Sequence, residues 1–379
     1  MNFEKLDAHL AQFHKDHPDV PGCDILVQQN HKVLFRAQYG LSDLQAGTPV
    51  NGDELYCLYS CSKPVTVAGV LRLVEAGKLE LDAPASNYLS CFRDAYLLKD
   101  GQRVPPKKPI TIRNLLTMTA GFTYNTETEP LKALFAKGTD RVPTTEYARA
   151  LLASPLAFEP GSQFYYSLSH DLLGAVIEEV SDMPFGEYQR QNIFEPLGMT
   201  KTGFFTTLPA DISLAPIYIY DSKEKVTKPF PDFYDCGLSK RYESGGAGML
   251  STLEDYGRFA ATMAHNGRSA DGYTLLKPET IQMMKQEQLS AMMPTVNFGC
   301  TAGAGYGYAL GVRTLIDRSY GQRSPLGEFG WDGAAGAYIL MDTDNDLSIS
   351  YVTHLRNWHG GFGSIHNPMR DLVYEALDL

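Results

Sequence analysis

Two serines, a cysteine and a lysine occupy four consecutive positions, Ser60, Cys61, Ser62 and Lys63, in the stretch LYSCSKPVTVAGVLRLVEAGK. A serine hydroxyl beside an amine that can take its proton is the raw material of a nucleophile for acyl transfer. Local structure decides which serine could use the amine. Val67, Val70, Leu71 and Val74 recur at helical spacing, and Gly77 sits where a glycine suits a helix end. Pro64 is tolerated only in a first turn, so the pattern predicts a helix beginning near Ser60 to Ser62. On that helix Ser60 and Lys63 are i and i+3 and share a face, whereas Ser62 and Lys63 are adjacent and diverge. Ser60 is then the hydroxyl able to hand its proton to Lys63, with Cys61 expected to pack and Ser62 to cap. A helix start also offers free backbone N–H groups for an oxyanion, and a positive potential that disfavours a buried ammonium.

The spacing alone leaves the chemistry open. Ser222 and Lys225 in YDSKEKVTK share it, but their surroundings are polar and no amphipathic pattern follows, which reads as an exposed loop. No G-x-S-x-G occurs, so the nucleophile elbow of α/β-hydrolases is absent. GAGYG (303–307) lacks the spacing of a dinucleotide-binding turn. His354, His359 and His366 lie in a Gly-rich stretch at spacings that fit no standard metal-ligand set. No metal and no cofactor are expected.

Elements at both ends of the chain must position this segment. Residues 24–40 read as a β-hairpin around the polar turn QQNHK. YALGVRTL (308–315), GAYILMD (336–342) and LSISYVTH (347–354) read as strands, with TDND turning between the last two. NPMRDLVYEALDL reads as a closing helix. Segments 112–121, 144–154, 169–182 and 252–267 carry apolar residues at helical spacing behind Ser, Thr or Asp caps. His170 is expected as a partly exposed residue of the third of these. The order implies an α+β architecture: an antiparallel sheet from 1–75 and 245–379, a mainly helical insertion over 76–244, and a cleft between them.

Bulk properties narrow the partners. With 44% hydrophobic and 20% charged residues over 379 positions, the chain is an ordinary soluble globular protein. A net charge of −11 excludes a phosphate-binding surface for nucleic acid, and no apolar run reaches membrane-spanning length. The start MNFEKLDAHLAQFHKDHPDV lacks the apolar core of a signal peptide, so a cytoplasmic location is expected. The six cysteines form no C-x-x-C pair and read as buried thiols.

Several segments in order resemble the class C β-lactamase and penicillin-binding-protein superfamily. YSCSKPVTVAGVLRLVEAGKLELDAPASNYL is similar to its nucleophile helix, and ITIRNLLTMTAGF (110–122) to the segment that follows. FEPGSQFYYSLSHDLLGAVIEEVS (158–181) resembles its tyrosine segment, with Tyr166 on the motif tyrosine and Tyr165 the alternative if the register slips by one. FEPLGMTKTGF, SGGAGMLSTLEDYGRFA, GYGYALGV and GWDGAAGAYILMD follow in the family's order. Two departures stand out. Leu168 replaces an asparagine that contacts the substrate amide, and Trp331 replaces the cationic or imidazole residue of the third motif. Y-S-L with W-x-G resembles the family VIII carboxylesterases. The resemblance implies a β-lactamase/transpeptidase-like fold, an acyl-enzyme on Ser60, proton transfer by Lys63 and Tyr166, and an oxyanion hole of the Ser60 and Ala334 N–H groups. Trp331, Asp332, Gly333 and Leu168 would line the substrate. A small apolar ester is the implied substrate. A β-lactamase or D-amino-acid peptidase or amidase, an acyltransferase, and an inactive binding or sensor protein are the alternatives.

Overall fold

A computed structural model describes residues 1–209, 212–230, 240–289 and 303–379; Cys236 and Cys300 lie outside them. Cys23, Cys57, Cys61 and Cys91 are all buried. The β-branched and aromatic runs at the two chain ends join in one sheet. Strands β1 (Cys23–Gln29) and β2 (Lys32–Tyr39) form the N-terminal hairpin. Its two-residue turn is Asn30–His31, with φ of 48° and 61°. That double left-handed turn matches the twist of the strands it joins.

From the C-terminal part come β3 (Tyr306–Tyr308), β4 (Arg313–Leu315), β5 (Phe329–Asp332), β6 (Tyr338–Asp342) and β7 (Leu347–Val352). The seven strands lie in the order β3-β4-β5-β6-β7-β1-β2. Every pairing is antiparallel, and β1 meets β7 with Ile25 opposite Tyr351. The segment 308–315, expected as one strand, is instead a hairpin. Ala309 N–H bonds Val312 O at 2.9 Å and Gly311 adopts φ +72°, a conformation that ends any strand at that point. A side chain on Gly311 would also sit 2.4 Å from Val67 Cγ2, so the turn can press onto the helix below it.

Alternating residues separate two apolar layers. Ile25, Val27, Leu340 and Ile349 face α1 (Glu4–Asp16) and α7 (Gly363–Ala376), packing with Leu6, Leu10, Ile365 and Met369. Leu26, Ile339 and Met341 face the other way, toward α2 (Ser62–Glu75) and α6 (Leu253–Ala264). Each aliphatic side chain so buried stabilises the fold by about 1.5–3 kcal/mol. Helix α2 is more deeply placed than an amphipathic pattern implies, since every residue from Ser62 to Leu71 is buried. Gly77, at φ +68°, ends it as expected, with Lys78 N–H on Leu73 O at 2.9 Å.

Around α2 stand α3 (Ile112–Leu116), α4 (Thr144–Leu152) and α5 (Ser169–Ser181). Helix α3 is shorter than the expected 112–121 because Met118 takes φ +57° and Gly121 φ +96°, turning the chain back toward α5. No helix among the described residues is long and apolar enough to cross a membrane.

One buried ring makes the fold acid-sensitive. His354 is 2% exposed; its Nε2 accepts the Cys57 N–H at 3.1 Å and its Nδ1 donates to Ala215 O at 3.0 Å. Burial pushes its pKa down to about 4, against a partial rise from the Ala215 and Pro216 backbone. The unfolded chain takes up a proton near 6.5 and the folded one does not until about 4, so stability falls as pH drops through that window. At pH 5 the loss from this ring is about 2 kcal/mol. Urea midpoints at pH 7 and pH 5 should differ by that amount more in the wild type than in His354→Gln; equal pH shifts in both would contradict the assignment.

Candidate active site

Ser60 closes a single 3₁₀ turn, Tyr59–Cys61, that runs directly into α2 at Ser62. Tyr59 takes φ +48°, a left-handed value costly for a side-chain-bearing residue, immediately before Ser60. The turn leaves Ser60 half-buried while Lys63 is fully buried. Lys63 Nζ lies 3.1 Å from Ser60 Oγ and donates to Gly246 O at 2.7 Å. An amine at that distance can exchange a proton with the hydroxyl.

The neighbours of Ser60 turn elsewhere. Cys61 Sγ lies 3.6 Å from Trp331 O, its backbone O accepts from Tyr256 OH at 2.8 Å, and burial pushes its thiol far up. Ser62 was expected to cap its own helix. Instead its Oγ accepts Met249 N–H at 3.0 Å, because a helix that starts in a 3₁₀ turn already has partners for its first N–H groups. Ser222 and Lys225 are exposed in a turn remote from any helix start.

Tyr166 lies over Lys63, its ring centre 4.7 Å from Nζ, while Tyr165 points outward and is 51% exposed. Trp331 Nε1 donates to Tyr166 OH at 3.1 Å. Burial raises the Tyr166 phenol well above its ordinary value, with Ser60's hydroxyl and the indole N–H pulling it back. Three aromatic planes stack here. Tyr124 and Tyr166 are 5.9 Å apart at 14°, and Tyr166 and Trp331 are 5.6 Å apart at 23°. Tyr308 meets Trp331 edge-on at 5.3 Å, and Phe164 backs Tyr308. Leu168 is 3% exposed, the residue just before α5, and packs into the core. Trp331, Tyr308 and Phe164 together give this side of the site an aromatic wall.

The turn that follows Trp331 completes the neighbourhood. Gly333 N–H bonds Ala337 O at 2.7 Å, and a side chain on Gly333 would lie 2.5 Å from Leu58 O. Only a bare backbone lets the turn press against the segment that carries Ser60. Ala334, next in the turn, is exposed. Asp332 directs its carboxylate away from the aromatic stack, to Arg313 at 2.7 Å and His366 at 2.8 Å.

Several residues escaped the sequence reading. Tyr124 stacks on Tyr166 and brings its phenol toward Lys63; burial raises that phenol to about 12 and the Lys63 charge opposes the rise. Asp171, 2% exposed, accepts from Ser244 Oγ at 2.6 Å and Tyr242 OH at 3.2 Å. Burial raises its carboxyl, while Ser244 and the nearby Lys63 charge act the other way. A side chain on Gly246 would stand 2.7 Å from Asp171 Oδ2 and 3.5 Å from Lys63 Nζ, so this carboxylate sits directly behind the lysine. A lone Asp inside the apolar run LSHDLLGAVI was the available signal. His170, expected at the surface, is fully buried. The 309–312 turn covers it, with a Gly311 side-chain position only 2.5 Å from its Nε2. Burial, then the Lys63 charge, pushes its pKa far down, so it stays neutral. The other histidines of the C-terminal stretch separate. His354 bonds Ala215, His366 bonds Asp332, and His359 lies 4.5 Å from the Tyr220 ring.

Comparison with known proteins identifies the family and the fold. The Beta-lactamase family profile matches residues 6–369. The chain is 28% identical over 373 residues to Protein Rv1367c of Mycobacterium tuberculosis, covering 92% of this chain and 89% of that protein. It is 29% identical over 393 residues to Esterase EstB of Burkholderia gladioli, covering 98% and 94%. Among solved structures it superposes on EstCE1, described as a hydrolase with promiscuous acyltransferase activity, with a TM-score of 0.80 at 28% identity and 98% of each chain covered. With its seven-stranded antiparallel sheet, its flanking helices and a family match along nearly its whole length, the chain belongs to the Beta-lactamase family and is a serine hydrolase of the β-lactamase/transpeptidase-like fold.

Proposed function

We propose that the protein is a carboxylesterase that cleaves small, fairly apolar esters through an acyl-enzyme on Ser60. The observation that carries the reading is the hydrogen-bonded pair of Trp331 and Tyr166 standing over Ser60 and Lys63. A site for a carboxylate-bearing β-lactam needs a cation or polar hydrogen-bonding group beside the tyrosine. Here that wall is indole and phenol rings. The esterase name of one relative and the hydrolase description of a structural neighbour support the choice.

The steps follow from the contacts. Ser60 Oγ attacks the ester carbonyl as its proton passes to Lys63 Nζ, which takes part as the uncharged amine. The carbonyl oxygen becomes negative and is held by the backbone N–H groups of Ser60 and Ala334. Tyr166 OH, kept protonated by its burial and oriented by Trp331 Nε1, relays a proton to the departing alcohol oxygen as the carbon–oxygen bond breaks. Water then attacks the acyl-enzyme, giving up a proton by the same route, and releases the acid and free Ser60. In this reading the substrate enters between the sheet part (1–75 and 245–379) and the helical part (76–244), with Asp171 holding charge behind Lys63.

A series of nitrophenyl esters of increasing chain length, run beside a chromogenic cephalosporin, tests the reading. Ester turnover at least about a hundredfold faster in kcat/KM is expected; the reverse ranking would sink it. Adding an alcohol acceptor tests acyl transfer, which the description of EstCE1 favours as a second activity. Trp331→Phe keeps the apolar wall but removes the N–H on Tyr166 OH. A roughly three- to tenfold lower kcat is expected, corresponding to about 0.6–1.4 kcal/mol for one neutral hydrogen bond. An unchanged kcat would show that the indole N–H does not orient Tyr166.

A further inference from the structure

Beside the turn Gly333–Gly336 lies an arrangement of charge that no step above uses, with Arg313 and His366 buried and Asp332 partly exposed. Arg313, on β4, is 2% exposed. Its Nη1 donates to Asp332 Oδ2 at 2.7 Å and its Nη2 to Ile339 O at 3.0 Å. Its guanidinium lies between the rings of Tyr306 and Tyr338, at 5.6 and 4.6 Å. From the opposite side, His366 on α7 places Nδ1 2.8 Å from Asp332 Oδ1 and Nε2 3.3 Å from Gly336 O. One imidazole thus grips both ends of the turn.

Both of its partners, a carboxylate oxygen and a carbonyl oxygen, only accept hydrogen bonds. The Nδ1 that faces the carboxylate must therefore carry its hydrogen. The other neighbours of the ring do not compete for that hydrogen. Tyr338, Tyr351 and Phe362 surround it with ring faces and edges at 4.7, 5.5 and 5.7 Å. Arg370, one turn further along α7, is engaged by Asp371 and by Tyr306 OH, and Glu328 bonds Tyr306 as well. The Arg313 guanidinium and the His366 ring then flank the single carboxylate of Asp332. Burial pushes that carboxyl up, but Arg313 and His366 more than offset it and hold it below its ordinary value. The turn has no slack on either face. Gly333 abuts Leu58 O, and a side chain on Gly336, at φ +90°, would meet Phe362 at 2.6 Å.

We propose that Arg313, Asp332 and His366 form a clamp that positions the Gly333–Gly336 turn, and with it the Ala334 N–H, against the negative oxygen formed on the substrate. The clamp rests on the esterase reading, and its three members act as positioning residues, since none touches the reacting atoms. A hydrogen-bond donor in an oxyanion site is worth two to three orders of magnitude in kcat when correctly aimed. Slackening the turn that carries it should cost less, roughly ten- to a hundredfold.

The test has two independent readouts. In wild-type protein labelled with ¹⁵N-histidine, the His366 ring is assigned by its loss in His366→Gln. The ring should carry an Nδ1-bound proton protected from solvent exchange by Asp332, and a ring with no proton on Nδ1 would overturn the proposal without reference to turnover. Steady-state hydrolysis of nitrophenyl acetate by folded His366→Gln should show kcat lower by ten- to a hundredfold with KM within about twofold. A trifluoromethyl ketone, which forms a tetrahedral adduct on the serine, should lose affinity by the same factor as kcat. An unchanged kcat, or a change confined to KM, would overturn the clamp. If the variant does not fold, Asp332→Asn read by the same two kinetic criteria replaces it. A wild-type protein that shows this protected Nδ1 proton but turns over no ester would sink the esterase reading instead.

Discussion

Ser60→Ala is expected to lower kcat on a nitrophenyl ester by roughly 10⁴- to 10⁶-fold, leaving the residual rate that binding and the oxyanion site supply without a nucleophile. The protein should remain folded. Ser60 is half-buried, and its loss removes its hydrogen bonds to Lys63 and Tyr166, a change of about 1–2 kcal/mol. The neighbouring hydroxyl supplies the control. Ser62→Ala leaves a buried Met249 N–H without its acceptor and should destabilise the fold by about 1–3 kcal/mol, yet acylation should persist. Stopped-flow measurement of the nitrophenol burst with urea denaturation of both variants separates the two roles. A burst that survives in Ser60→Ala and vanishes in folded Ser62→Ala would exchange them.

Lys63→Met carries the second large effect. A group that accepts the attacking hydroxyl's proton contributes about 10²–10⁴ in rate, and burst acylation should fall by that factor. Methionine fills the volume, but Gly246 O loses the donor that holds it at 2.7 Å and Asp171 loses the charge in front of it. A stability loss of about 1–3 kcal/mol should accompany the loss of rate. Lys63→Arg should not rescue activity, because a guanidinium stays charged and its planar head does not fit the space between Ser60 and Gly246. An active arginine variant would argue against proton transfer to this residue. The comparison also isolates Tyr166. If the lysine only holds charge, arginine should retain rate; if it takes the proton, both variants fail alike.

How much of this was legible follows from how far apart in sequence each contact lies. Ser60 and Lys63 are three residues apart, so helix geometry alone selected the pair, and the structure places them 3.1 Å apart. Tyr166 and Trp331 meet the pair across more than a hundred residues. No periodicity links them, and only the ordered resemblance to a known family brought them together. Asp171, Tyr124, Arg313 and His366 were missed because the fold alone assembles their partners. His366 reaches Asp332 from the last helix, and Asp171 meets Ser244 across 73 positions of the chain.

The errors have physical causes too. His170 was placed at the surface because histidine is usually polar and exposed, but the turn at Gly311 closes over it. The same glycine splits the expected strand 308–315 into two. Ser62 was read as a cap by position, whereas the 3₁₀ entry to α2 frees its hydroxyl for Met249. The sheet itself was easier to read. Its strands come from both chain ends and carry apolar residues on both faces, which the dense runs GAYILMD and LSISYVTH announce directly.

The central claim is that Ser60 is the attacking atom's residue, and one measurement addresses it without assuming a substrate. A fluorophosphonate reacts with an activated serine and adds a fixed mass to it. Incubating the native protein with such a probe, digesting it and locating the adduct by mass spectrometry should give a single modified residue, Ser60, and no modification in Ser60→Ala or Lys63→Met. An unmodified protein, or an adduct carried by Ser62 or by a serine outside the Ser60–Lys63–Tyr166 cluster, would contradict the account.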